Sequence, residues 1–231
     1  MPLKQIQRWS FWTLAGLALL LFWDALQLDM PMARWFGSVR GFAWQHHWLL
    51  AGPLHEGARS LGWLLVILLT VAIRWPVGVL KRLSRGQRIR LVLGILVTLL
   101  VIAMLKQSSL SSCPWDLTEF GGPARYVPHW LWGVPDGGGG HCFPAGHAST
   151  GFAFIAGYFC LHDKAPRQAR WWLGAALFAG FALGLVQQIR GAHYMSHVLW
   201  SAWFCWISAG ASHVVSEYFA LKLRTPELGL N

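Results

Sequence analysis

The chain has 231 residues, of which 55% are hydrophobic and 12% charged, with a mean hydropathy of +0.42. A soluble domain carries roughly 25% charged residues, so this composition excludes an ordinary water-soluble globule and points to one helical domain in a membrane. The formal charge of +10 does not indicate a nucleic-acid partner, because the bases sit in short segments between apolar runs, as in loops beside an anionic leaflet.

Residues 1–9 are short and basic, with Lys4 and Arg8. The apolar run 10–28 is broken by Asp24 and lacks the short core and small-residue cleavage site of a signal peptide, so a retained first span is expected. Residues 29–60 mix Arg34, Arg40, Glu56 and Arg59 with many aromatic residues. They are too polar to cross a bilayer and are expected to form one or two amphipathic helices on its surface.

Residues 61–73 form a short second span, followed by a stretch from Arg74 to Arg90 with six bases and no acid. The third span, 91–105, ends at Lys106. Residues 107–146 are the longest polar segment, with five prolines and a glycine run at 137–140 that reads as a flexible connector. Spans are then expected at 148–161, 171–189 and 197–215, separated by a basic turn and a tight turn. Tryptophans such as Trp9, Trp12, Trp23, Trp63, Trp75, Trp171 and Trp172 lie near the ends of these runs and suit interfacial belts. The expected fold is all-α: a single polytopic membrane domain over residues 1–231, with about six transmembrane helices and an amphipathic segment on the outer side.

The bases orient it. One side collects Lys4, Arg8, the six bases of residues 74–90, Lys164, Arg167, Arg170, Lys222 and Arg224; the other has Arg34, Arg40, Arg59, Lys106, Arg125 and Arg190. Thirteen against six makes the first side cytoplasmic. Both termini are then inside, and three chemically suggestive stretches share the outer face.

The first of these is Lys106 itself, placed either to snorkel or to meet a phosphate. The second is Gly140–Gly151, which sets His147 at the start of an apolar helix, where unpartnered N–H groups suit an anion. The third is the cluster from Gln187 to His197, containing Arg190, His193 and His197.

The spacings resemble the type-2 phosphatidic acid phosphatase superfamily, whose motifs are Lys-x6-Arg-Pro, Pro-Ser-Gly-His and Ser-Arg-x5-His-x3-Asp. Here Lys106 is followed after six residues by Cys113-Pro114, then by Pro144-Ala145-Gly146-His147, then by His193 and His197. The resemblance is carried by residues from about 106 to 215. It implies His193 as a nucleophile forming a phosphohistidine and His147 as acid, then base. It also implies a phosphate held by Lys106, an arginine and backbone amides around Ala145 and Gly146, without a metal or other cofactor.

The chain departs from the family at four positions. Cys113, Ala145, Gln187 and His197 stand where the motifs have arginine, serine, arginine and aspartate. Arg190 and Arg125 are the expected stand-ins for the two arginines. His197 is the expected support for His193, with Asp116 or Glu119 as a nearby acid. Cys113 and Cys142 both lie in the outer loop just ahead of motif prolines, and an oxidising periplasm would allow a disulfide between them.

The implied protein is a lipid phosphatase of a bacterial inner membrane. Its partners are the bilayer and a lipid phosphate, and its site faces the periplasm. Three rivals use the same residues: a phosphotransferase passing the phosphoryl group to a second lipid, a zinc site of His193, His197 and His147 or Cys142, and a binder or transporter without turnover.

Overall fold

The computed structural model describes residues 3–222. The chain is mostly helical: α1 (Leu3–Ala25), α2 (Asp29–Ala33), α3 (Trp48–Val71), α4 (Arg85–Ser108), α5 (Gly146–Phe152), α6 (Ala156–Leu161), α7 (Pro166–Ile189) and α8 (Met195–Lys222). A small antiparallel hairpin, β1 (Gly37–Ser38) with β2 (Gly41–Phe42), is its sheet.

Four of the described helices are long and apolar enough to cross a membrane: Trp48–Val71, Arg85–Ser108, Pro166–Ile189 and Met195–Ala220. The other two expected spans fall short for different reasons. Helix α1 has the length, but Arg8, Asp24 and three tryptophans dilute its hydropathy. Helices α5 and α6, joined through the 3-10 turn Ala153–Ile155, together reach only about 24 Å against a hydrocarbon core of about 30 Å.

Residues 29–60 correct the sequence reading. They are not a pair of surface helices: α2 is one turn, the hairpin follows, and the second span already begins at Trp48. The hairpin serves as a wedge. Phe42 is buried against Phe120, with ring centroids 4.9 Å apart, and a Cβ added at Gly191 would come within 2.4 Å of the Phe42 ring.

The short α5–α6 segment is the buried centre, with Phe152, Ile155 and Leu161 essentially inaccessible. Small residues let its neighbours approach closely, as expected between helices that share an apolar solvent. A Cβ at Gly151 would stand 2.4 Å from Gly180 N, one at Gly62 would stand 2.4 Å from Thr150 Cγ2, and one at Gly184 would stand 2.5 Å from Val198. These contacts press α7, α3 and α8 together around the head of α5.

The ends of the long helices are defined by caps. Ser84 and Gln87 form a capping box that starts α4. Helix α7 ends in a Schellman turn: Gly191, at φ +77°, donates to Gln188 O, and Ala192 N donates to Gln187 O. That turn redirects the chain so that His193 points inward. Helix α8 is capped from outside, because Asp29 accepts from both Ser196 N (2.9 Å) and Ser196 Oγ.

The loop from 109 to 145 is ordered, contrary to the flexible connector expected at 137–140. Cys113 and Cys142 are joined by a disulfide. Buried Asp136 accepts from Ser112 N, Ser112 Oγ and Gly138 N, and Gly140 N donates to Ser112 Oγ. Trp115 N donates to Gly191 O, tying the loop to the Schellman turn.

Candidate active site

The three suggestive stretches meet. Lys106, at the last turn of α4, donates from Nζ to His141 O, and His141 Nδ1 lies 3.2 Å from Lys106 O. Gly146 packs over the Lys106 side chain, so that a Cβ there would lie 3.5 Å from Cδ. A cavity of about 330 Å³ opens here between α3, α4 and α5. Arg59, Lys106 and His147 stand at its polar end, whereas Trp63, Val66, Leu99, Ile102 and Ala103 line an apolar remainder.

His147 is in the first turn of α5, where sequence analysis places it. Its ring is stacked on His55 at 3.7 Å between centroids and 29° between planes. His55 is carried there by a π-helical turn, Gly52–Gly57, a geometry that recurs at functional sites. Burial, reinforced by His55, Lys106, Arg190 and Arg59, drives the His147 imidazole down to about 3.

His193 lies deeper. It is 5% exposed, and its Nδ1 is 3.5 Å from Cys142 Sγ. Burial first, then Lys106 and His147, holds its pKa well below the ordinary histidine range. An uncharged, buried imidazole keeps a lone pair free at neutral pH, as nucleophilic chemistry requires. His197, one turn on, bonds through Nδ1 to Cys142 O at 3.0 Å and lies with its ring 5.9 Å from that of His193.

Arg190 is in place. Its NH1 donates to Gln187 Oε1 at 3.1 Å and its Nε to Gln45 O at 3.1 Å, and its charge acts on His147. Gln187, standing where the resemblance expects an arginine, therefore holds the arginine three residues on.

Two expected phosphate ligands are corrected. Ala145 is fully buried and its N–H is already committed to His197 O at 3.2 Å, so it joins the second and third motifs to each other. Arg125 is exposed on the outer loop, its backbone N–H on Asp136 O, and does not line the cavity. Arg59 stands at the cavity in its place. The nearby acids are also engaged elsewhere, Glu119 with Arg34 at 2.5 Å and Asp116 with Cys113 N.

Sequence reasoning missed His55 and Arg59, taking them for surface residues. The available signal was their i, i+4 spacing just ahead of an apolar run, which puts both on one helix face. The metal alternative loses a ligand. Side-chain donor atoms of Cys142, His193 and His197 lie within 4.8 Å of one another, but Cys142 Sγ is bound to Cys113 and offers no thiolate.

The family model of the PAP2 superfamily matches residues 87–220, which include Lys106, His147, Arg190, His193 and His197. No curated protein and no solved structure matched the chain.

Proposed function

The chain belongs to the PAP2 superfamily of phosphatases acting on phosphate esters, and from that premise we propose that it is a lipid phosphatase. It hydrolyses a phosphomonoester or diphosphate on a lipid headgroup at the periplasmic face of the inner membrane, through a phosphohistidine. The observation that carries the lipid assignment is the cavity, with three cationic or titratable groups at one end and an apolar wall along two membrane helices. That is the shape of an amphiphile: a phosphate at Arg59 and Lys106, a hydrocarbon chain between α3 and α4.

The chemistry follows from the charges. Lys106 and Arg59, with Arg190 close by, neutralise the equatorial oxygens of the phosphoryl group. With Nδ1 of His193 turned to Cys142, Nε2 is the attacking nitrogen; its bond to phosphorus forms as the bond to the lipid oxygen breaks. His147 gives that oxygen a proton. Burial is the first cause of its low pKa, and an anionic phosphate among the neighbouring cations offsets the remaining causes, which raises His147 toward the range in which it can carry that proton. Water then attacks phosphorus, His147 takes its proton, and inorganic phosphate leaves His193 free.

The outward orientation is supported by the distribution of bases and by the disulfide, which persists in an oxidising compartment. The test is phosphate release in detergent from phosphatidic acid, phosphatidylglycerophosphate, undecaprenyl diphosphate and lipid A, with chelator present. Turnover by wild type, lost in His193→Ala and His147→Ala, supports the assignment. Inertness on every lipid, or loss of turnover with chelator alone, overturns it.

A further inference from the structure

A buried acid–base pair that the chemistry above does not use stands against the site. Asp24, near the end of α1, and His129, in the loop before α5, are each 7% exposed. His129 Nε2 lies 3.4 Å from Asp24 Oδ2, and Trp200 Nε1 donates to the same oxygen at 3.0 Å. The His129 ring lies flat on Phe143, with centroids 4.5 Å apart and planes at 13°, which fixes its tilt. From there it meets His197 edge-on, at 5.8 Å and 90°. His197 in turn lies 5.9 Å from His193. A buried run of one carboxylate and three imidazoles thus leads from the first helix to the nucleophile.

Of the other described acids nearby, Asp29 caps Ser196 and also acts on His129, and Glu56 meets His55, which stacks on His147, whereas Glu119 pairs with Arg34 and Asp136 holds Ser112. Meanwhile the groups acting on His193 are cationic or potentially so, Lys106 and His147 foremost. A histidine that becomes phosphorylated in such surroundings lacks a counter-charge, and the position one turn after it holds an imidazole. A carboxyl group buried among aromatic rings is costly unless its polar atoms are paired.

We propose that Asp24 and His129 are a positioning pair for phosphoryl transfer: Asp24 holds His129, and the pair orients His197 and offsets the positive charge that develops at His193. The inference rests on the reading of His193 as nucleophile. It goes beyond that reading by bringing in a residue from outside the matched region 87–220.

The effect expected of Asp24→Asn is a fall of about fivefold in kcat with KM for the lipid unchanged, the influence of a unit charge on the order of 15 Å away at an effective dielectric of about 20. His129→Gln should do the same, and the double variant no more. The decisive background is His197→Asp, which puts a carboxylate directly beside His193. There Asp24→Asn should change kcat less than twofold. An equal loss in both backgrounds, or a rise in KM, would make Asp24 a helix-packing residue and overturn the proposal. Should His197→Asp not fold, His197→Asn serves, since it also breaks the run and should abolish the effect of Asp24→Asn.

A second readout does not depend on turnover. In the full-length protein with 15N-labelled histidine, in detergent micelles, Asp24→Asn should shift the ring nitrogens of both His129 and His197. An unmoved His197 overturns the proposal. A wild type that forms no phosphohistidine, while those shifts are present, instead refutes the assignment of His193.

Discussion

Residues 87–220, which match the family, and residues 3–84, which precede the match, build the site in different ways. The matched region supplies the proposed reacting groups, His147 and His193, from helix ends defined by local backbone geometry: the head of α5 and the Schellman turn after α7. The preceding region supplies what surrounds them, with Arg59 and His55 at the cavity, Asp29 capping α8, and Phe42 wedged under Gly191. The difference teaches that short motifs place the proposed reacting groups, whereas part of their surroundings, Arg59 and His55 beside His147, comes from a region with no motif of its own.

The sharpest test of that division is the nucleophile. His193→Ala should lower kcat by at least about 10³-fold, read as phosphate release, because the proposed covalent intermediate forms on its imidazole. Arg59→Ala should cost on the order of 10²-fold, close to the loss from Lys106→Ala, as for a donor aimed at developing charge. If Arg59→Ala were nearly silent while Lys106→Ala was crippling, the preceding region would be scaffold only.

Cys113→Ser with Cys142→Ser should lower unfolding stability by about 3–4 kcal/mol for a loop closed across 29 residues, measured by denaturant titration in mixed micelles. Acid should weaken the protein as well. His147 and His193 have lowered pKa values in the folded state, so the unfolded chain binds more protons once pH falls below about 6.5. Their contribution is intact above that pH and is lost as pH drops below it. Tm scans between pH 7 and pH 5 should slope downward, and His147→Asn should flatten the slope. The smallest effect is reserved for Arg125→Ala, below twofold in kcat, since that side chain does not line the cavity.

Much of the matched half was legible because its signals are local. Lys106 closes an apolar run, Pro144-Ala145-Gly146-His147 opens a helix, and His193 and His197 lie one turn apart. The disulfide followed from two cysteines placed beside motif prolines. The first half was harder to read because its roles are long-range. Arg34, Arg40 and Arg59 look alike in sequence, and only packing distinguishes the one that reaches the cavity. Asp24 registered as an interruption in a hydrophobic run, since its meaning depends on His129, more than a hundred residues away. Ala145 was misread for the opposite reason: its motif position suggested a phosphate donor, but the amide is used to fasten α5 to α8.

The cap that Asp29 places on α8 bears on how the molecule is made. Asp29 and Ser196 are 167 positions apart, so at synthesis rates of about 5–20 residues per second the carboxylate waits roughly 8–33 s for its partner. During that interval α1 and α2 have no α8 to cap, and Asp29 keeps its water. Closure of the site is therefore among the last events of assembly. A ribosome stalled between residues 147 and 196 leaves a chain that already holds Lys106 and His147 but lacks the helix to which Asp29 must bind.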